Sequence, residues 1–111
     1  FEGLNRHYGT QIMIGPDTYD LVKDRFLARP LDLVSVKGRK GGIRVYELMG
    51  DRKTAGEKQV RIAEWTTVAL DAYLAKRWDE AIENYEKVLR LDPGDPPAAL
   101  MLARSRESAA S

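Results

Sequence analysis

The 111-residue chain contains no cysteine, and this absence excludes both disulfide bonds and cysteine-ligated zinc sites. It fits the reducing environment of the cytoplasm, where we expect the protein to be. No apolar run approaches the roughly 18 residues that a membrane-spanning helix needs. The first residues, Phe1 to Gly9, have neither the basic nor the apolar segment of a signal peptide and do not begin with methionine, so we interpret them as lying inside a longer protein.

The sequence also lacks an excess of either charge, since it has 18 basic and 17 acidic residues and a net charge of +1. With that balance, bulk charge gives no argument for a nucleic-acid partner, and we expect none. Histidine occurs once, as His7, close to the end of a predicted helix. We expect it to be a solvated surface residue rather than a catalytic one.

What the sequence does contain is a hairpin pattern over residues 32–48. Val34 and Val36 alternate with polar residues before a loop with three glycines, and Ile43 and Val45 do so after it. Four basic residues and no acidic one lie in the segment 37–46, namely Lys37, Arg39, Lys40 and Arg44. Glycine backbone N–H groups beside such side chains can hold an anion, although most basic hairpin tips are solvated turns.

Three shorter elements are predicted before the hairpin. A helix ends at Tyr8, with Gly9 as its C-terminal stop, and a short strand follows in residues 10–14. A second helix begins at Pro16, whose fixed φ suits the first helical position. The acidic residues on or beside this helix are predicted to form a solvated face rather than a magnesium site; they are Asp17, Asp20 and Asp24.

Residues 50–58 are predicted to be a linker, because they are highly charged, contain two glycines and have almost no apolar side chain. After them the hydrophobic period becomes helical. One helix is predicted from about Lys58 to Leu74 and a second from Trp78 to Leu91. Asp95 is predicted to cap a third helix, with Pro96 at its first position, that runs to Ser108.

The first two of these helices resemble one tetratricopeptide repeat (TPR), whose period is about 34 residues. The residues that carry the resemblance are Trp65, Ala69, Trp78, Ala81, Tyr85 and Pro93. The small residues would let the two helices approach closely, and we expect both tryptophans to be core residues rather than ligand-stacking ones. Ala72 departs from the pattern, which usually has an aromatic residue there. One repeat is too few for a stable solenoid, so the third helix is predicted to act as a cap.

The N-terminal half resembles the C-terminal part of a class III adenylate/guanylate cyclase catalytic domain. Residues 2–12, EGLNRHYGTQI, are similar to the family's E-G-L-N-K-x-Y-G-T-x-I stretch. VKGRK at 36–40 and IRVYEL at 43–48 are similar to its last hairpin, V-K-G-K followed by V-x-V-Y-E-L. The resemblance implies an α+β fold. Residues 1–49 would be an incomplete ferredoxin-like cyclase half (helix end, strand, helix, β-hairpin), 50–58 the linker, and 59–111 an all-α TPR-like helical hairpin with a capping helix.

The resemblance also implies roles for individual residues. Lys37, the first lysine of the V-K-G motif, is similar to a family lysine that contacts the nucleotide triphosphate, and Arg39 is a second, weaker candidate. Strand alternation predicts that Val36 enters the core while Lys37 faces a cleft. Whether Arg39 and Lys40 touch phosphate or only keep the tip soluble stays open.

The family's two metal-binding aspartates, and the asparagine and arginine that stabilise its transition state, fall upstream of Phe1. We therefore expect no catalytic residue, metal ligand or cofactor in this chain, and Mg²⁺ or Mn²⁺ in the parent protein. The parent's substrate would be ATP or GTP, a choice that the sequence leaves open. The cyclase half would form a homodimer.

Three functions follow from these patterns. In the first hypothesis, the chain is the C-terminal fragment of a signal-transducing enzyme that converts a nucleoside triphosphate to a cyclic nucleotide and pyrophosphate. The fragment would not be catalytically competent alone. Alternatively, it is a TPR-type module that binds a protein partner. In the third hypothesis the chain only stiffens or dimerises its parent. Several such cyclases carry an N-terminal sensor or membrane anchor, and the parent could carry one as well.

Overall fold

The structure is a computed structural model, and it describes residues 2–111 apart from the side chain of Arg39. A small antiparallel sheet with two short helices comes first, and three longer helices follow, so the fold mixes α and β structure. Along the chain the elements are α1 (Glu2–Tyr8), β1 (Met13–Ile14), α2 (Pro16–Val22), β2 (Phe26–Val36), β3 (Arg39–Asp51), α3 (Glu57–Leu74), α4 (Trp78–Leu91) and α5 (Pro96–Ala109).

The sheet has the strand order β1-β3-β2, and both strand pairs are antiparallel. β1 is shorter than the predicted strand 10–14, because only Met13 and Ile14 pair with β3 and Thr10 is bonded to the end of α1. Its backbone N–H donates to the carbonyl of Asn5, and its hydroxyl donates to the Asn5 side chain. β2 is an edge strand, the position in a sheet at which a proline such as Pro30 is tolerated.

The β2–β3 hairpin is longer than the predicted one, since β2 already begins at Phe26 and β3 continues to Asp51. The turn comprises only Lys37 and Gly38, and the other two glycines of the predicted loop lie inside β3. Gly42 has a φ of +72°, and a Cβ atom there would lie 2.7 Å from the carbonyl oxygen of Val34. Glycine is therefore required at this irregular point of the ladder.

The prediction that Val36 enters the core is wrong, because its side chain is 39% exposed. It lies at the last position of β2, next to the turn, and the buried part of the strand ends four residues earlier, at Asp32.

The three long helices pack in sequence, α3 on α4 and α4 on α5. Ala69 and Ala81, the small residues of the repeat pattern, are fully buried, and so is Ala72, which explains why no aromatic residue stands there. The tryptophans are only half-buried: Trp65 packs against the edge of the core, and Trp78 lies edge-on to Tyr73. As predicted, Asp95 caps α5, since its side chain accepts a hydrogen bond from the Ala98 backbone N–H.

The predicted linker 50–58 comprises the last two residues of β3, a turn and the first residues of α3. Asp51 organises the turn: its carboxylate accepts a hydrogen bond from the Lys53 N–H, and its carbonyl accepts one from Ala55. The division of the chain into 1–49, 50–58 and 59–111 stays a prediction. Among the described residues, no helix is both long enough and apolar enough to cross a membrane.

The sheet and the long helices share one hydrophobic core. β2 lies against α3, and α1 touches α5. The fully buried residues of the joint cluster come from both halves and include Leu31, Val45, Leu70, Tyr85 and Met101. At Gly9, whose φ is +69°, a Cβ atom would lie 2.5 Å from the Cβ of Pro96, so a larger residue would push the two halves apart.

Candidate functional site

The residues predicted to bind phosphate lie at the hairpin tip. The structure places Lys37 in the two-residue turn with its side chain exposed, and Lys40 is exposed as well. Lys37 lines neither of the two cavities described in the structure. The other candidate, Arg39, has a side chain outside the described residues. The phosphate role of this tip therefore stays a prediction.

Arg44, the fourth basic residue of the hairpin, has an acidic partner. Its Nη1 lies 3.1 Å from Oδ1 of Asp71 on α3, and its guanidinium lies 5.9 Å from the centre of the Tyr46 ring. Tyr46 in turn stacks on Tyr19 of α2 at a ring-centre distance of 3.9 Å. Arg44 thus connects the hairpin to both α2 and α3, and it is a less available phosphate ligand than Lys37.

The larger cavity, of about 530 Å³, lies where the sheet meets the start of α3 and the α4–α5 connection. Polar and apolar side chains share its wall. Arg29, Glu47, Lys58, Asp92 and Asp95 contribute charge, and Ile62 is among the apolar residues. Pockets of this size often bind small molecules at the boundary between packed units. None of its residues belongs to the predicted phosphate site.

Arg29 is one of the charged residues of this cavity wall, and its side chain is only 4% exposed. Its Nη1 and Nη2 donate to the two carboxylate oxygens of Asp95 at 2.9 and 2.7 Å. Its Nε donates to Oε1 of Glu47, the residue opposite it in the sheet, at 2.8 Å. A bidentate arginine–carboxylate pair of this kind fixes orientation as well as distance.

Burial and charge act in opposite directions on this group. Burial alone would lower the pKa of Arg29, but the hydrogen bonds and charges of Asp95 and Glu47 outweigh it and raise the pKa, so the guanidinium stays charged. For Glu47 the effect of burial is larger than that of the neighbouring charge. Burial raises the pKa of the carboxyl above its usual range, although Arg29 acts to lower it. We call Arg29, Glu47 and Asp95 the first charged network.

A second charged network joins α1, β2 and α5 through Asp32. Oδ2 of Asp32 accepts hydrogen bonds from the Tyr8 hydroxyl at 2.6 Å and from Nη1 of Arg104 at 2.5 Å. The other oxygen accepts from the Leu33 backbone N–H. Burial, followed by the hydrogen bond to Asp32, raises the pKa of Tyr8 to about 12. In Arg104, burial is outweighed by Asp32, and the pKa is raised.

These networks are suited to holding elements together rather than to catalysis, because their charged groups already bind one another. Within residues 2–111, Arg39's side chain apart, no cluster of three or more histidine, cysteine, aspartate or glutamate side chains is placed to hold a metal ion. Sequence reasoning found Asp95 only as a helix cap, and it missed Arg29, Asp32 and Arg104. Opposite charges inside the apolar run FLARPLDLV were the available signal.

Comparison with known proteins supports both halves of the sequence interpretation to different degrees. The tetratricopeptide repeat family matches residues 62–95, which cover most of α3, all of α4 and the connection to α5. An adenylate cyclase of Dictyostelium discoideum, described as terminal-differentiation specific, is 26% identical over 107 residues. This match covers 93% of the chain and 5% of the relative.

The chain therefore spans only about a twentieth of the length of that cyclase. No solved structure matches the chain. Residues 62–95 are thus similar to a tetratricopeptide repeat, and the chain as a whole is distantly similar to a short part of an adenylate cyclase.

Proposed function

We propose that this chain is the C-terminal part of a class III adenylate/guanylate cyclase catalytic region together with a TPR-like helical repeat. The parent would convert ATP or GTP to the cyclic nucleotide and pyrophosphate, as a step in cytoplasmic signalling. The observation that carries this proposal is the match to a cyclase over both the sheet and the helices. Mg²⁺ or Mn²⁺ and a second copy of the cyclase half belong to the parent's active form.

The finer fold assignment is part of the same proposal. Residues 1–49 are taken as the last piece of a ferredoxin-like cyclase domain, and residues 59–111 as the repeat and its cap. The order of α1, β1, α2 and the β2–β3 hairpin supports the first assignment, because it agrees with the order that the cyclase resemblance implies.

Lys37 is the residue proposed to contact the triphosphate. Its ammonium group is a compact charge on a long, flexible stem, which suits a phosphate oxygen. The nearest acidic residue before it, Asp32, is occupied by Tyr8 and Arg104. Lys37 is exposed at the turn, so it can reach a nucleotide held by the rest of the parent.

The test is the Lys37→Ala variant of the parent enzyme, measured as kcat/KM for ATP and for GTP with Mg²⁺. Loss of one hydrogen bond to a charged phosphate should cost about 1.5–3 kcal/mol, which corresponds to a fall in kcat/KM of roughly 10- to 160-fold. Lys40→Ala is the matched control, since Lys40 is an equally basic, exposed residue of the same tip, and it should change kcat/KM less than about threefold. Unchanged kinetics for Lys37→Ala, with a loss for Arg39→Ala or Lys40→Ala, would move the phosphate contact to the other residue.

A protein-interaction role is the second candidate, and the tetratricopeptide match at residues 62–95 favours it. In this alternative the helices bind a protein partner, or they stiffen or dimerise the parent. Polar substitution of two exposed apolar residues of α3, Val68→Ser and Leu74→Ser, separates the candidates, because it leaves in place the helices on which the sheet packs. If cyclase activity and dimerisation both survive and a protein partner is lost, the helices serve interaction alone.

A further inference from the structure

β2 packs on α3 and forms side-chain ion pairs with α5, an arrangement that resembles a bound peptide. Over residues 29–32 its sequence is Arg-Pro-Leu-Asp, and all four residues are buried. Arg29 donates to Asp95 at the start of α5 as well as to Glu47 of β3. Asp32 accepts from Arg104, nearer the end of α5, as well as from Tyr8 of α1. Between them Leu31, 1% exposed, enters the shared apolar core.

The spacing of these contacts matches an extended segment. Arg29 and Asp32 are three residues apart, or about 10 Å in a strand. Asp95 and Arg104 are nine residues apart, about 14 Å along a helix axis, a difference that long arginine side chains can bridge. The charges are complementary at both ends, since an acidic group of α5 faces the arginine and a basic group faces the aspartate.

We infer that the face formed by α3 and α5 is a recognition surface for an extended protein segment of the pattern Arg-x-Leu-Asp, and that β2 occupies it within the same chain. A partner protein with this pattern would compete with β2 for Asp95, Arg104 and the apolar site of Leu31. This inference rests on the interaction role proposed for the helices. It adds that partner binding and attachment of the sheet exclude one another at this face.

Such competition has a quantitative signature. When only a fraction of molecules has the face open, the apparent Kd of a partner equals the intrinsic Kd divided by that fraction. Removing the two anchoring charges from β2, by Arg29→Ala and Asp32→Ala, leaves Asp95, Arg104 and Glu47 in place. The open fraction should rise, and a competing segment should bind more tightly.

The probe is a fluorescein-labelled peptide with the sequence of residues 26–36, FLARPLDLVSV, titrated with the 111-residue chain and followed by fluorescence anisotropy. We expect its apparent Kd for the Arg29→Ala/Asp32→Ala chain to be at least tenfold lower than for the wild-type chain. A control peptide with alanine at both charged positions should lose most of that affinity. Adding Arg104→Gln to the double variant should also weaken binding of the charged peptide.

Helicity measured by circular dichroism establishes that α3, α4 and α5 are folded in each variant. If the double variant loses its helices, the single variant Arg29→Ala, which retains the Asp32–Arg104 contact, replaces it with the same expected direction. Equal affinity of the charged and alanine peptides, or equal affinity for the wild-type and folded variant chains, would overturn the inference. Because the peptide-binding assay contains no nucleotide, such a result does not bear on the cyclase proposal. That proposal is tested separately by the kinetics of Lys37→Ala.

Discussion

Arg29 and Asp95 lie 66 residues apart in the sequence, yet their side chains form a buried, two-pronged hydrogen-bonded ion pair. Asp95 also accepts the capping hydrogen bond from Ala98. One carboxylate therefore fixes the start of α5 and holds β2 against it. Loss of either role should be measurable separately, because asparagine can keep the cap but not the charge.

Asp95→Asn should lower the free energy of unfolding by about 3 kcal/mol, because it leaves the buried Arg29 guanidinium with Glu47 as its remaining carboxylate partner. Asp95→Ala should cost about 1 kcal/mol more through the lost cap. Urea denaturation measures both. Asp92→Asn, in the same connection, is the control and should change stability by less than about 0.5 kcal/mol. Equal stability of Asp95→Asn and wild type would mean that the ion pair contributes nothing net.

Tyr8 should make stability depend on alkaline pH. Its folded-state pKa of about 12 lies above the usual value of 10.0, so the folded protein keeps a proton that the unfolded chain releases. Stability therefore falls as the pH rises from 10 towards 12, by up to about 1.4 kcal/mol for each pH unit.

Tyr8→Phe isolates this contribution. Near pH 8 the variant should be less stable than wild type by about 1.5–3 kcal/mol, because it loses a hydrogen bond to the Asp32 carboxylate. Between pH 10 and 12 the difference should shrink, since the variant has no hydroxyl to ionise. Urea titrations at pH 8 and pH 11 give the comparison, and a gap that stays constant would contradict the assigned pKa.

Ala81→Leu should destabilise the helical half by about 1–3 kcal/mol, because Ala81 is fully buried and has no room for three more carbons. Ala103→Leu serves as a control, as Ala103 is exposed on α5. The melting temperature by circular dichroism should fall for the first variant and change little for the second.

Trp65→Ala should lower the free energy of unfolding by less than the roughly 3–5 kcal/mol of a fully buried aromatic residue, because Trp65 is only half-buried.

The sheet should not fold without the helices. A chain that ends at Asp51 would expose Leu31 and Val45, which the intact protein buries in the shared core. A three-stranded sheet of this size gains too little from its own packing to offset the entropy of ordering. We expect its amide NMR signals to be poorly dispersed, whereas those of the 111-residue chain should be sharp and spread. A well-dispersed monomer spectrum of the short chain would show that the sheet is independent.

Local chemistry made much of the fold predictable. The stop at Gly9, the start at Pro16, the cap at Asp95 and the buried Ala81 each follow from a rule that acts over a few residues, and the structure has all four. The strand over residues 26–31 was missed because it does not alternate. It is buried at nearly every position, and a shift of register beside Leu31 breaks the period of two.

The charged networks could not be predicted, for a different reason. Asp32 and Arg104 are 72 residues apart, and nothing in either local segment names the other as its partner. Periodicity describes which face of an element is buried, but not which element covers it. For the phosphate site the sequence gives a candidate residue that the structure does not test. The resemblance indicates Lys37, whereas the side chain of Lys37 is exposed to solvent in the structure.

Because Arg29 and Asp32 carry opposite charges, the two directions in which β2 could lie on α5 differ in energy. A strand lying on α5 in the reverse direction would bring Arg29 towards Arg104 and Asp32 towards Asp95, so two buried pairs of like charge would replace two attractive ones. Such juxtapositions cost several kcal/mol. Hydrophobic contact through Leu31 is nearly indifferent to strand direction, whereas the two charges are not. During folding they would reject a backwards docking of the hairpin, and a peptide of reversed sequence should be rejected for the same reason.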